Sequence, residues 1–179
     1  VHHASKSNFY FQPVLNTDVV ATKDMLLFDA VNDILTIPDH SDLEIDSSGF
    51  SLVFSFVPQK TGSEQVLLSK QTNSGIGYSL IQTTENKLQF TLNDGTIQKS
   101  LNSLDLVQEN LPYFVIVTVN SSEMAMNLNA APQGATSNNS LILGNLDTAA
   151  SFNIGYSADR GDTKRFKGFV SSLYIYQDL

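Results

Sequence analysis

The acidic residues of Asp42-Leu43-Glu44-Ile45-Asp46 alternate with apolar ones, so an extended chain would hold three carboxylates on one side. Paired carboxylates about 5 Å apart are what a retaining glycan hydrolase requires. This run lies in a turn segment ahead of a long hydrophobic stretch. It reads as a solvated edge with Leu43 and Ile45 pointing inward, not as an acid/base pair. The only histidines are His2, His3 and His40, and no Gly-x-Ser-x-Gly elbow occurs, so serine-hydrolase chemistry finds no triad. Cysteine is absent, which removes thiol nucleophiles, disulfides and zinc–thiolate sites. Gly75-Ile76-Gly77 reads as a turn before a strand and not as a phosphate cradle. No catalytic residue is assigned.

Binding chemistry is better represented. Asp29, Asn32 and Asp33 place three oxygen ligands within five residues, a start toward the six to eight that calcium takes. Calcium is thus the one candidate cofactor, and a turn closed by Asx hydrogen bonds is the alternative. Sugars are held by aromatic platforms, with amides and carboxylates reading the hydroxyls. Tryptophan is absent, and six tyrosines remain. Tyr113, Tyr174 and Tyr176 sit within strand patterns and read as packing. Tyr78 and Tyr156 follow glycines and are expected at a rim, where each could touch ligand. Asn93 and Asp94 in a hairpin turn supply an amide and a carboxylate. Arg160-Gly161-Asp162 spells the integrin-recognition tripeptide; a solvated turn is its default, and Arg160 and Asp162 are kept as ligand candidates. Asn120-Ser121-Ser122 and Asn138-Asn139-Ser140 fit the glycosylation acceptor pattern.

The elements that must carry these residues follow a period of two. Phe50, Leu52, Phe54 and Phe56 share one face of a strand ended by Pro58, and Val53 and Val57 give its other face apolar character too. Leu88, Phe90 and Leu92 alternate with polar residues up to Asn93-Asp94-Gly95-Thr96, a hairpin signal. Tyr113–Val119, Met124–Leu128, Leu141–Gly144, Phe152–Tyr156 and Phe166–Tyr176 continue the series. Leu104–Asn110 is expected to be a polar turn or a single helical turn. Many short strands at this spacing predict an all-β, two-sheet antiparallel sandwich. The 179 residues suit a single domain over 1–179, its first eight residues loose. Only 16% of residues are charged, against about 25% in an average soluble domain. The net charge is −8 and no basic cluster exceeds Lys164-Arg165, which argues against nucleic acid and anionic membrane surfaces. No apolar run is long enough for a membrane span.

Three segments fall in a recognisable order: Phe28-Asp29-Ala30-Val31-Asn32-Asp33-Ile34-Leu35-Thr36-Ile37-Pro38, then Leu43 to Pro58, then Phe152-Asn153-Ile154-Gly155-Tyr156 followed by Phe166-Lys167-Gly168-Phe169-Val170 and Leu173-Tyr174-Ile175-Tyr176. From about Met25 to Leu179 the chain resembles the concanavalin A-like lectin/glucanase superfamily, in particular the laminin-G-like jelly roll. The resemblance implies two antiparallel sheets face to face, one of them concave, with ligands on the concave face or its rim. Ala30 stands where that family usually has Gly, and Ser171 where it often has Asp, a carboxylate that in many relatives helps hold calcium.

The expected function is a non-catalytic recognition module, extracellular, on a cell surface or on a virion, binding glycans or a cell-surface receptor. The alternative is a structural or adhesion domain of a viral or phage capsid, fibre or bacterial adhesin, assembled into something larger and engaging protein. A glycan hydrolase or lyase ranks below both. Nucleic-acid binding and membrane insertion are not expected.

Overall fold

A computed structural model describes residues 14–16, 20–22, 25–45, 49–137 and 146–177. The strands in chain order are β1 Val14–Asn16, β2 Val20–Thr22, β3 Met25–Asp29, β4 Ile34–Ile37, β5 Phe50–Pro58, β6 Gln65–Gln71 and β7 Gly77–Gln82. They continue as β8 Lys87–Asn93, β9 Gln98–Leu106, β10 Tyr113–Val119, β11 Glu123–Leu128, β12 Ala131–Ser137, β13 Phe152–Ile154 and β14 Lys167–Gln177. Two antiparallel sheets form, ordered β1-β4-β13-β6-β7-β8-β9 and β12-β11-β10-β5-β14-β3-β2. Non-consecutive neighbours such as β5 and β14 give the jelly-roll crossing. The all-β sandwich expected from the alternation is therefore observed. Short 3-10 turns at Ser41–Leu43 and Asp162–Lys164 are the named helical segments among the described residues.

Alternation decides what is buried. Phe50, Leu52, Phe54 and Phe56 face the opposing sheet and are at most 1% exposed, while Val53 and Val57 turn to the other side. Phe56 stacks on Phe54 and Tyr113, and its edge meets Phe166. Burying each such ring contributes roughly 1.5–3 kcal/mol. Gly168 sits at the β14–β5 contact because nothing larger fits: a Cβ there would stand 2.2 Å from the Val57 carbonyl oxygen and 2.6 Å from the Phe166 ring.

Two expectations need correction. Residues 104–106 continue β9 instead of forming a turn, because Leu104 and Asp105 donate their amides to the Gln133 side chain and Ser103 caps the Asp105 carbonyl. Residues 155 and 156 leave β13, where Gly155 adopts a positive φ against the Phe28 ring. The 141–144 strand, the Asn138 sequon, Asp46 and the first eight residues lie outside the described residues.

Candidate functional site

The outward face of the first sheet carries a line of hydroxyls and amides. Strand register places Thr36, Asn153, Ser69, Ser79, Thr91 and Ser100 opposite one another across β4, β13, β6, β7, β8 and β9. The residues alternating with them (Leu35, Phe152, Leu68, Leu80, Phe90 and Leu101) fill the core, so this row points away from it, yet its middle members Ser69, Ser79 and Thr91 are buried and Ser69 Oγ donates to the Tyr156 carbonyl. Thr36 Oγ1 donates to Asn153 Oδ1 at 2.9 Å, and the Thr91 and Ser100 hydroxyls are 2.9 Å apart. The neighbouring cross-strand pair Gln89–Asn102 is bonded at 2.8 Å. The buried Ser79 hydroxyl has no hydrogen-bond partner among the described residues.

The row runs into a pocket of about 490 Å³ at the ends of β6 and β13, lined by Gln71, Thr72, Asn73, Ala149, Ala150, Ser151, Asn153 and Ala158. Gln71 is fixed by donating to the Gly75 carbonyl and accepting from Ser157 Oγ, and Asn153 Nδ2 donates to the Ser151 carbonyl. The arrangement offers oriented amides, hydroxyls and small methyls at one opening. That set can read the hydroxyls of a bound polyol.

One pocket wall is held from behind by a buried cation. Lys70 lies opposite Tyr78 in the β6–β7 register and so faces the core. Its Nζ is 2.7 Å from Asp39 Oδ1 and 2.5 Å from Glu44 Oε1, and it donates to the Thr148 and Ala150 carbonyls at 2.6 and 3.0 Å. Burial pushes Glu44 up to about 7, and the Asp147 and Asp39 carboxylates add to the rise. Asp39, nearer solvent, is held below its usual value by the hydrogen bond from Lys70. Two carboxylates share one ammonium, and the more buried of them takes up the proton. Glu44 is therefore no solvated edge. Leu43 and Ile45 do point inward, at 2% and 1% exposure. Nothing in the sequence marks Lys70 and Glu44 as partners, since they are far apart in the chain and each reads as a surface charge.

The rim residues expected from sequence separate into groups. Tyr78 is the largest correction: it is fully buried, packs against Phe50, Phe90 and Phe152, and its hydroxyl donates to the Leu43 carbonyl at 2.7 Å. As a core tyrosine it presents nothing at a rim. Asp94, 5% exposed, accepts from the Thr96 and Ile97 amides and builds its own hairpin turn, so it too is structural. Asn93 points outward beside Gly75, where an added Cβ would lie 3.6 Å from Asn93 Nδ2 and 3.5 Å from Asp159 Oδ2. The 72–76, 93–97 and 155–160 segments thus meet at one end of the sheet, next to the pocket. Tyr156 is half-buried under the Arg165 guanidinium, 4.9 Å above its ring. Arg160 of the Arg-Gly-Asp run pairs with Glu64 at 2.7 Å. Asp162 opens a 3-10 turn, and its side chain lies outside the described residues.

Tyr174 and Tyr176, read as packing, are 54% and 53% exposed, with near-parallel rings 6.5 Å apart. They stand on the outer face of the second sheet because Leu173 and Ile175 take the inward positions. Phe114, also exposed, lies on the same face of β10.

At the expected cation site, Asp29 Oδ1 accepts from the Val31 amide and Asp33 Oδ2 from the Asp29 amide, both at 2.7 Å. Arg165 Nη1 lies 3.5 Å from the Asp33 carbonyl oxygen. Each carboxylate already closes the turn, and a guanidinium adjoins it. These residues fit a hydrogen-bonded turn better than a calcium ion. No cluster of three acidic or histidine side chains suited to a metal occurs among the described residues. No helix among them is long and apolar enough to cross a membrane.

A sequence family described as the Concanavalin A-like lectin/glucanases superfamily, of laminin G type, matches residues 29–179. No curated protein matches the sequence. Among solved structures, a tryptophan-to-alanine variant of HCR/D superposes with a TM-score of 0.75 at 15% identity, covering 97% of this chain and 45% of that one. Domains LG4-5 of the mouse laminin α1 chain give 0.71 at 12% identity, covering 98% and 47%. The CBM40 of a Ruminococcus gnavus IT-sialidase, bound to α2,3-sialyllactose, gives 0.71 at 13% identity, covering 88% and 91%. The chain thus spans less than half of the first two. At these identities the likeness is one of fold.

Proposed function

This chain belongs to the concanavalin A-like lectin/glucanase superfamily, and from that premise we propose that it is a non-catalytic glycan-recognition module working outside the cell or on a virion. The observation that carries the reading is the pocket, where Gln71, Thr72, Asn73, Ser151 and Asn153 bring amides and hydroxyls to one opening. Oriented amides and hydroxyls at one opening match the spaced hydroxyls of a saccharide, and a ligand seated in a partly apolar pocket gains from each prearranged hydrogen bond. The sialyllactose-bound CBM40 lends support from a similar fold. Asp39 and Glu44 behind the pocket wall are engaged by Lys70, and no acidic side chain lines the pocket among the described residues, which speaks for binding over hydrolysis.

Screening the purified chain on a glycan array tests this. Binding to a related set of sugars is expected, reduced at least tenfold by Asn153→Ala and unchanged by Tyr174→Ser on the other sheet. An empty array, or binding indifferent to Asn153, overturns the reading.

A second reading is protein engagement, as in an adhesin or a capsid or fibre domain. It is favoured by exposed Phe114, Tyr174 and Tyr176 on the second sheet. Defined multimers in light scattering together with an empty array would select it.

A further inference from the structure

We infer that the pocket takes an uncharged glycan and excludes sialylated, uronate and sulfated ones. The inference rests on the glycan reading above and adds the ligand's charge class. It starts from the lining. Gln71, Thr72, Asn73, Ser151 and Asn153 supply amides and hydroxyls, the alanines supply methyls, and no ionisable side chain lines the pocket among the described residues.

A sugar carboxylate or sulfate needs a cation, and the planar fork of arginine suits it best. The whole chain contains two arginines, Arg160 and Arg165. The first is paired with Glu64, with Asp159 3.8 Å from its Nε. The second lies over the Tyr156 ring and reaches the Asp33 carbonyl. Lys70 precedes a pocket residue, yet its ammonium is fully buried on the core side and held by Asp39, Glu44 and two carbonyls. Recruiting it for a ligand would strip the two carboxylates of their counter-ion.

Nearby fixed charge has the opposite sign. Behind the wall Asp39 balances Lys70, and Asp147 acts on Glu44 and raises it. Asp159 stands beside Gly75 at the end of the same turn as Thr72 and Asn73. Asp159, next in the chain to the lining residue Ala158, lies within a Debye length of about 8 Å at physiological salt and disfavours an anion. The whole chain, at −8, adds to that repulsion.

The test uses the full chain on matched glycans: each neutral core, its α2,3- and α2,6-sialylated forms and its sulfated form, with titration calorimetry on the best neutral core and its sialylated partner. Binding to neutral cores is expected, with at least tenfold weaker binding to every anionic partner. Equal or tighter binding of the anionic forms overturns this inference and leaves the glycan reading intact. Binding to neither set overturns both. Asn73→Arg, at an exposed turn position, is expected to raise affinity for the sialylated partner at least threefold relative to the neutral core. No relative gain would overturn the electrostatic basis of the exclusion.

Discussion

The ammonium of Lys70 lies 2.5 Å from Glu44 Oε1, with the lysine side chain fully buried and the glutamate side chain 12% exposed. This pair links the core side of the first sheet to the pocket wall. It closes the inner side of the first sheet and, through the Thr148 and Ala150 carbonyls, fixes the segment that walls the pocket. Lys70→Met keeps the length and removes the charge. Two carboxylates and two carbonyls then lose their donor, which is expected to cost about 3–5 kcal/mol. Urea unfolding checks this, and a loss below about 1 kcal/mol, the level of an exposed pair, would show that the ammonium is not structurally required.

Glu44 gives a pH signature. Its folded value of about 7 exceeds the ordinary 4.5, chiefly through burial, with Asp147 and Asp39 adding to it and Lys70 opposing. The folded state thus binds a proton that the unfolded chain releases. The associated stability is fully present below about pH 4.5 and is lost as pH rises through 7. The shift corresponds to roughly 3 kcal/mol at most. Stability is therefore expected to fall between pH 5 and 8. Glu44→Gln should flatten that slope in denaturant midpoints measured across the range, and an unchanged slope would assign it to another group.

How much of this was legible in the sequence depends on which physical signal each residue carries. Alternation in Phe50–Val57 and Leu88–Leu92 named the strands correctly, because a face of leucines and phenylalanines opposite smaller or polar residues has one sensible orientation. It failed for Leu173-Tyr174-Ile175-Tyr176, where both faces are apolar and packing alone decides that leucine and isoleucine go inward. It failed in the opposite sense for Tyr78, whose turn-adjacent position suggested a rim, although its register pairs it with Leu92 in the core. The polar row of the candidate site was invisible for another reason. Each member is an ordinary serine, threonine or asparagine in its own strand, and only the pairing of six strands lines them up.

Ala30 carries strain that the family's usual glycine would avoid. Its φ is +70°, in the left-handed region where a Cβ is penalised. Ala30→Gly relieves that penalty and forfeits part of it through a freer unfolded chain, so a net gain of about 0.5–1 kcal/mol is expected. Thermal melts of the variant check it, and a loss of stability would mean that the alanine methyl makes a packing contribution greater than the strain.

The Asp29–Asp33 turn is closed by its own amide hydrogen bonds. A cation held only by the folded state at 100 times its dissociation constant would add about 2.7 kcal/mol, a shift of several degrees. Melting temperatures in excess calcium and in excess EDTA are expected to coincide. A reproducible rise with calcium, lost in an Asp29→Asn variant, would place a cation at this turn after all.

The tyrosines provide the sharpest contrast between burial and exposure. Tyr78→Phe keeps the ring among Phe50, Phe90 and Phe152 but removes the donor to the Leu43 carbonyl, leaving a buried acceptor unsatisfied. A loss of about 1–2 kcal/mol is expected. Tyr174→Ser removes a side chain that is more than half exposed, and it should change stability by no more than about 0.5 kcal/mol. Paired denaturation curves read both values. If Tyr174→Ser were the costlier change, the second sheet's outer face would have to be covered in solution, and the protein-engagement reading would gain at the expense of the glycan one.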